Sequence, residues 1–176
     1  TDTDRMLAAL VDASDIDDPQ KILAPFQDAA GEWTQVACAR RHLERGRPQR
    51  ALDGVKDLRF LSTAYDQAIT VAALAALELK QYEMVELYCR TIKDSDLRLK
   101  IVTRLAQDRQ DIAMEVDALT QLFERHPHDS QIFVQLIHAL GRIGQSELIK
   151  GLCYVAQERY VDDEMAQMMI KKYLKV

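Results

Sequence analysis

Arg40, Lys100, Arg104 and Arg142 are the residues of this sequence best suited to recognition chemistry. Guanidinium forks and an ammonium suit carboxylates, and the planar Arg fork binds them two bonds at a time. Other reactive groups are sparse. Cys38, Cys89 and Cys153 are odd in number and far apart, so they read as small buried hydrophobes in a reducing compartment, which suits a cytoplasmic protein. His126-Pro127-His128 offers two imidazoles in a turn without supporting Cys or carboxylate, a poor metal site. His42 and His138 fall on helices and are read as packing or groove residues. The sequence holds no Ser-centred elbow, phosphate loop, Cys-x-x-Cys or His-Glu-x-x-His. No enzyme, cofactor or metal is expected.

The elements that position these side chains are helices. Apolar residues recur at spacings of three and four, and no Asn-Gly or Asp-Gly lies between alternating apolar residues. Asp53-Gly54 sits inside a helical pattern. Three stretches repeat one arrangement of small and apolar residues: Cys38-Ala39 to Leu58, Ala72-Ala73 to Ile92, and Leu136-Ile137 to Ala156. Taking Glu32, Asp66, Asp96 and Ser130 as repeat starts gives spacings of 34, 30 and 34 residues. Such self-similarity marks stacked helical hairpins.

These residues resemble the tetratricopeptide repeat family. Gly46 and Gly144 stand at the turns, Ala39, Ala51 and Ala156 at helix crossings, Tyr82 after a turn where Lys80 replaces glycine, and Pro127 at a repeat end. Glu115 departs from the pattern, falling where a small residue belongs. The resemblance covers about Glu32 to Tyr160, and other α-solenoids share the same logic. It implies an all-α fold, a right-handed superhelix of stacked antiparallel helix pairs (a TPR-like α-solenoid). The expected organisation is one continuous domain: an N-terminal helical cap over 1–31, about four helix pairs over 32–160 and a capping helix over 161–176. Pro25 predicts a short or kinked element from Pro19 to Ala30. Helices are also expected over Pro48–Phe60 and Asp162–Lys175, with Asp18, Ser130 and Ser146 as caps.

In such repeats the first helix of each pair lines a concave face. That implies a groove of Trp33, Val36, Arg40 and Leu43, then Gln67, Thr70, Leu74 and Leu77, then Lys100, Arg104 and Gln107, then Gln131, Gln135, His138 and Arg142. Two readings stand: a groove for an acidic or C-terminal peptide, or the solvated faces of ordinary helices. The last helix carries Met165, Met168, Met169, Ile170 and Tyr173, which caps the array or packs on a second copy or a partner.

Composition bounds the function. Apolar residues make up 48% of the 176 and charged ones 29%, as in folded domains. A net charge of −5 disfavours general nucleic-acid binding, leaving a local Arg/Lys patch as the weakest reading. The longest apolar run, Ile69 to Leu77 interrupted by Thr70, is too short to span a bilayer. The acidic start Thr1-Asp2-Thr3-Asp4 is unlike a signal peptide. The expectation is a protein-binding scaffold, adaptor or chaperone-like, for a peptide or helix of a partner. The alternative is an assembly subunit that self-associates through its last helix.

Overall fold

A computed structural model describes residues 2–58 and 62–174. The chain is all-α, with no strand among the described residues. Helices α1 (Asp2–Ala13) and α2 (Gln20–Leu23) precede a 3-10 helix (Ala24–Ala29), then α3 (Glu32–Glu44), α4 (Pro48–Val55), α5 (Tyr65–Glu78) and α6 (Tyr82–Cys89). The remainder is α7 (Ser95–Arg109), α8 (Ile112–Arg125), α9 (Ser130–Arg142), α10 (Ser146–Ala156) and α11 (Glu164–Leu174). The chain forms two compact units, Thr1–Asp94 and Ser95–Val176.

Within each unit, helices pack against their sequence neighbours and against the first helix of the adjoining pair. The first unit shows α3 on α4, α4 on α5, and α3 on α5; the second shows α7 on α8, α8 on α9, and α9 on α11. One bonding pattern repeats with this packing. Each residue read as a repeat start bonds to the segment that ends its own repeat. Glu32 accepts from Ser62 at 2.6 Å, Asp66 pairs with Lys93 at 3.0 Å, Asp96 pairs with Arg125 at 2.5 Å, and Ser130 donates to Asp163 at 2.5 Å.

Small residues and turns follow the sequence reading. A Cβ on Gly54 would lie 3.3 Å from that of Ala39, so glycine permits the close approach of α4 to α3. Gly46 and Gly144 adopt φ of 68° and 71° after α3 and α9. Lys80 and Gln110 take the same left-handed conformation, at 57° and 58°, in the α5/α6 and α7/α8 turns. All three cysteines are free and buried. Burial, aided by Asp12 and Asp18, pushes the Cys38 thiol up to about 11, and burial also raises Cys153.

Caps needed correction. Asp129, not Ser130, caps α9: its carboxylate accepts from the backbone N–H groups of Gln131 and Ile132. Gln145, not Ser146, stands at the N-cap of α10 and makes no side-chain cap bond. Asp18 accepts from Gln20 N at 3.1 Å, but Pro19 itself occupies the N-cap position. Pro25 and Phe26 divide the Pro19–Ala30 segment as expected, Phe26 leaving helical geometry at φ −124°. Helix α4 ends at Val55, and residues 59–61, with Lys175, lie outside the described residues.

The start of α3 was not anticipated. Its N-cap is Gly31, which has no side chain, and Asp4 of α1 supplies the missing acceptor. That carboxylate takes the N–H groups of Gly31, Trp33 and Thr34, and the Thr34 hydroxyl at 2.5 Å. A Cβ on Gly31 would come within 2.6 Å of Asp4 Oδ2, so a larger residue there would push the carboxylate away from the N–H groups it caps. Burial raises the Asp4 pKa, and the bonds from Thr34, Gly31 and Trp33 outweigh it, leaving the group below its ordinary value.

Candidate functional site

The groove residues divide between the two units. In the first, Trp33 and Arg40 of α3 border a cavity of about 310 Å³ with Arg5, Asp12 and Gln67. Both are already engaged. Trp33 donates its Nε1–H to Thr63 and has the Arg5 guanidinium 5.1 Å above its ring. Arg40 joins α1 to α5, one nitrogen 2.7 Å from Asp12 and another 2.8 Å from Gln67 Oε1. Leu74 is half-buried. Leu77 and Val36 are corrections: at 1% and 0% exposure they belong to the core and offer nothing to a partner. Helix α5 is apolar around most of its circumference, so its pattern could not mark an outer face.

In the second unit, α7 and α9 place Lys100, Arg104, Gln107, Gln131 and Gln135 around a cavity of about 330 Å³. Its floor is apolar, formed by Leu122 and Ile132. A second cavity of about 320 Å³ adjoins it, sharing Gln131 and Gln135 and bordered by Val134 and Met165. Together they form a groove with a cationic end at Lys100 and Arg104, a middle of side-chain amides beside Asp129, and an end where Val134 and Met165 stand beside Asp163. Both carboxylates are occupied, Asp129 by the N–H groups of Gln131 and Ile132 and Asp163 by Ser130 and the N–H of Ala166. Lys100 is exposed and has no hydrogen bond or ion pair among the described residues. Glutamine amides can both donate and accept, and so can serve a peptide backbone.

Arg142 does not join this lining. Its Nη1 is 2.7 Å from Oε2 of Glu115, whose side chain is only 6% exposed, and Gln107 Nε2 donates to Oε1 of the same carboxylate at 3.0 Å. The misfit at Glu115 is therefore a buried acid held by the next pair. His138 is exposed on α9 and lines neither cavity.

Helix α11 is split by its contacts. Ala166, Met169 and Ile170 enter a core with Phe133, Leu136 and Tyr160. Met169, expected at an interface, is 8% exposed, because positions 166, 169, 170 and 173 share the face turned to α9. Tyr173 is half-buried, its hydroxyl against Gly141. Met165 and Met168 stay outside, 59% and 63% exposed.

The His126-Pro127-His128 turn is tied down: His126 Nε2 lies 2.6 Å from Asp96 Oδ2, and the Pro127 carbonyl accepts from Tyr160 at 2.7 Å. Among the described residues no helix is long and apolar enough to cross a membrane.

No protein-family model, curated protein or solved structure matches the chain.

Proposed function

We propose that this chain is a protein–protein interaction scaffold, adaptor or chaperone-like, which takes an acidic segment of a partner into the groove of the second unit. The observation that carries the reading is Lys100, an unpaired ammonium at one end of a groove lined by amides and closed by Met165. Side-chain amides suit the backbone of an extended segment, the cation suits its carboxylate, and a methionine fits varied apolar side chains. Arg104 adds positive charge at the same end. Trp33, Arg40 and Arg142 are assigned to holding helices together, through the bonds described above.

The bonds from Glu32, Asp66, Asp96 and Ser130 support a TPR-like stacking of helix pairs within each unit, in the sense of that family's right-handed superhelix. Buried free thiols favour a reducing, cytoplasmic setting. The activity is binding, without catalysis or a cofactor. The test is the binding of acidic peptides in an Arg50→Gln background, with and without Lys100→Glu/Gln135→Glu, where unaltered binding would refute the groove.

A second reading is favoured by Met165 and Met168, which leave apolar surface on α11. It makes the chain a subunit that self-associates through this helix.

A further inference from the structure

A cleft of about 770 Å³ in the first unit lies far in sequence from the groove residues of the second. Its floor is one face of α3, from Glu32 through Gln35 and Ala39 to His42. Helix α4 forms one wall with Arg50, and the α2/3-10 segment forms the other with Gln20 and Gln27. The second wall is broken at Pro25 and Phe26, and its 3-10 helix buries none of its residues.

Two side chains at the His42 end have no partner. Arg50 is exposed and makes no hydrogen bond or ion pair among the described residues. His42 Nδ1 is buried without a hydrogen-bond partner. Burial, then the charges of Arg50 and Arg47, hold the imidazole below its ordinary range, against an opposing pull from Asp18. The acids nearby are committed elsewhere. Glu32, at the opposite end of the cleft, accepts from Ser62, and Asp53 is bonded to Gln49 and Lys56. An unpaired guanidinium beside a neutral imidazole is a place where an incoming carboxylate gains a charged partner and displaces none, His42 Nδ1 being buried out of its reach.

We propose that this cleft binds a short extended peptide segment with a carboxylate seated against Arg50 and His42. The distance from Glu32 to His42 along α3 is about 15 Å, enough for about four or five extended residues. Gln20 and Gln27 supply amides along one wall. The carboxylate comes from an Asp or Glu side chain or from a chain terminus.

The experiment uses three immobilised pentapeptide libraries: acetylated amides with central Glu, acetylated amides with central Gln, and acetylated central-Gln peptides with a free carboxyl terminus. At least tenfold better capture by the first or third than by the second is expected, and which of them wins identifies the source of the carboxylate. Capture is measured in a Lys100→Glu/Gln135→Glu background, which silences the groove of the second unit; the preference should persist there, and adding Arg50→Gln should remove it. Bound peptide should also raise the His42 pKa in ¹⁵N NMR titration, since a carboxylate offsets Arg50 and Arg47 while Asp18 is unchanged. Equal capture by all three libraries, or a preference that survives Arg50→Gln, would overturn the proposal. A preference already absent from the Lys100→Glu/Gln135→Glu background would place the carboxylate in the second unit alone and would also overturn it.

Discussion

Arg142, the last residue of α9, reaches 2.7 Å to the buried carboxylate of Glu115 on α8. The pair accounts for a charged residue where stacked helices need a small one, and it withdraws Arg142 from ligand binding. Removing Arg142 would leave an acid with one bond, from Gln107. The site is partly open on the Arg142 side, 46% exposed, so water screens part of the loss. Arg142→Leu should cost about 1–3 kcal/mol. Glu115→Leu combined with Arg142→Leu should recover most of that. Urea unfolding of the four members of this double-mutant cycle measures the coupling, and additive effects would show that the pair is not coupled.

Asp4 makes the first unit sensitive to acid. Its folded pKa lies below the ordinary 3.8, so the unfolded chain takes up the proton first. The stabilisation is fully present above the unfolded value and is lost as pH falls through the lower folded value. Asp4→Asn should destabilise the chain at neutral pH by on the order of 1–2 kcal/mol, as for a lost N-cap. It should also flatten the fall in stability below about pH 4. Thermal melts of both proteins from pH 2 to 7 give the comparison; parallel curves would mean that Asp4 contributes nothing to the acid transition.

Lys80 and Gln110 hold a conformation that side chains disfavour. Lys80→Gly and Gln110→Gly should each stabilise by about 0.5–1 kcal/mol, the relief of strain exceeding the added entropy of the unfolded chain. A melting temperature raised by a few degrees is the expected readout. A lowered one would mean that the side chains make contacts worth more than the strain.

Self-association through α11 is tested on its exposed methionines. Met165→Asp with Met168→Asp should convert an oligomer to monomers in sedimentation velocity without unfolding the chain. An unchanged sedimentation coefficient from an oligomeric wild type would remove α11 from the interface. Met169→Asp is unsuitable, because it places a charge in the core around Phe133.

Much of the fold was legible because local rules carried it. Gly46 and Gly144 marked turns, Pro127 a helix end, and Pro25 a broken segment, each through backbone geometry that a single residue controls. Asp4 was not legible, since its partners are 27 to 30 residues away. A signal did exist: α3 begins at a glycine, with no side chain to cap its first N–H groups. The site was read in part. Helical spacing placed Lys100, Arg104 and Gln135 around one cavity. It could not show that Leu77 and Met169 turn inward, because both lie on helices with more than one apolar side. Nor could it show that Arg40 and Arg142 are spent on Asp12 and Glu115, since an ion pair depends on the neighbouring helix.

The most direct test of the central claim is the affinity of acidic peptides for the second-unit groove. Peptides selected by phage display on the Arg50→Gln chain, whose first-unit cleft is silenced, would be measured by fluorescence anisotropy against that chain with and without Lys100→Glu/Gln135→Glu. The expected result is selected sequences rich in Asp and Glu, binding weakened at least tenfold, about 1.4 kcal/mol, by the double substitution, and a marked loss with added salt. Peptides without acidic residues, or equal affinity with and without the double substitution, would contradict the second-unit groove.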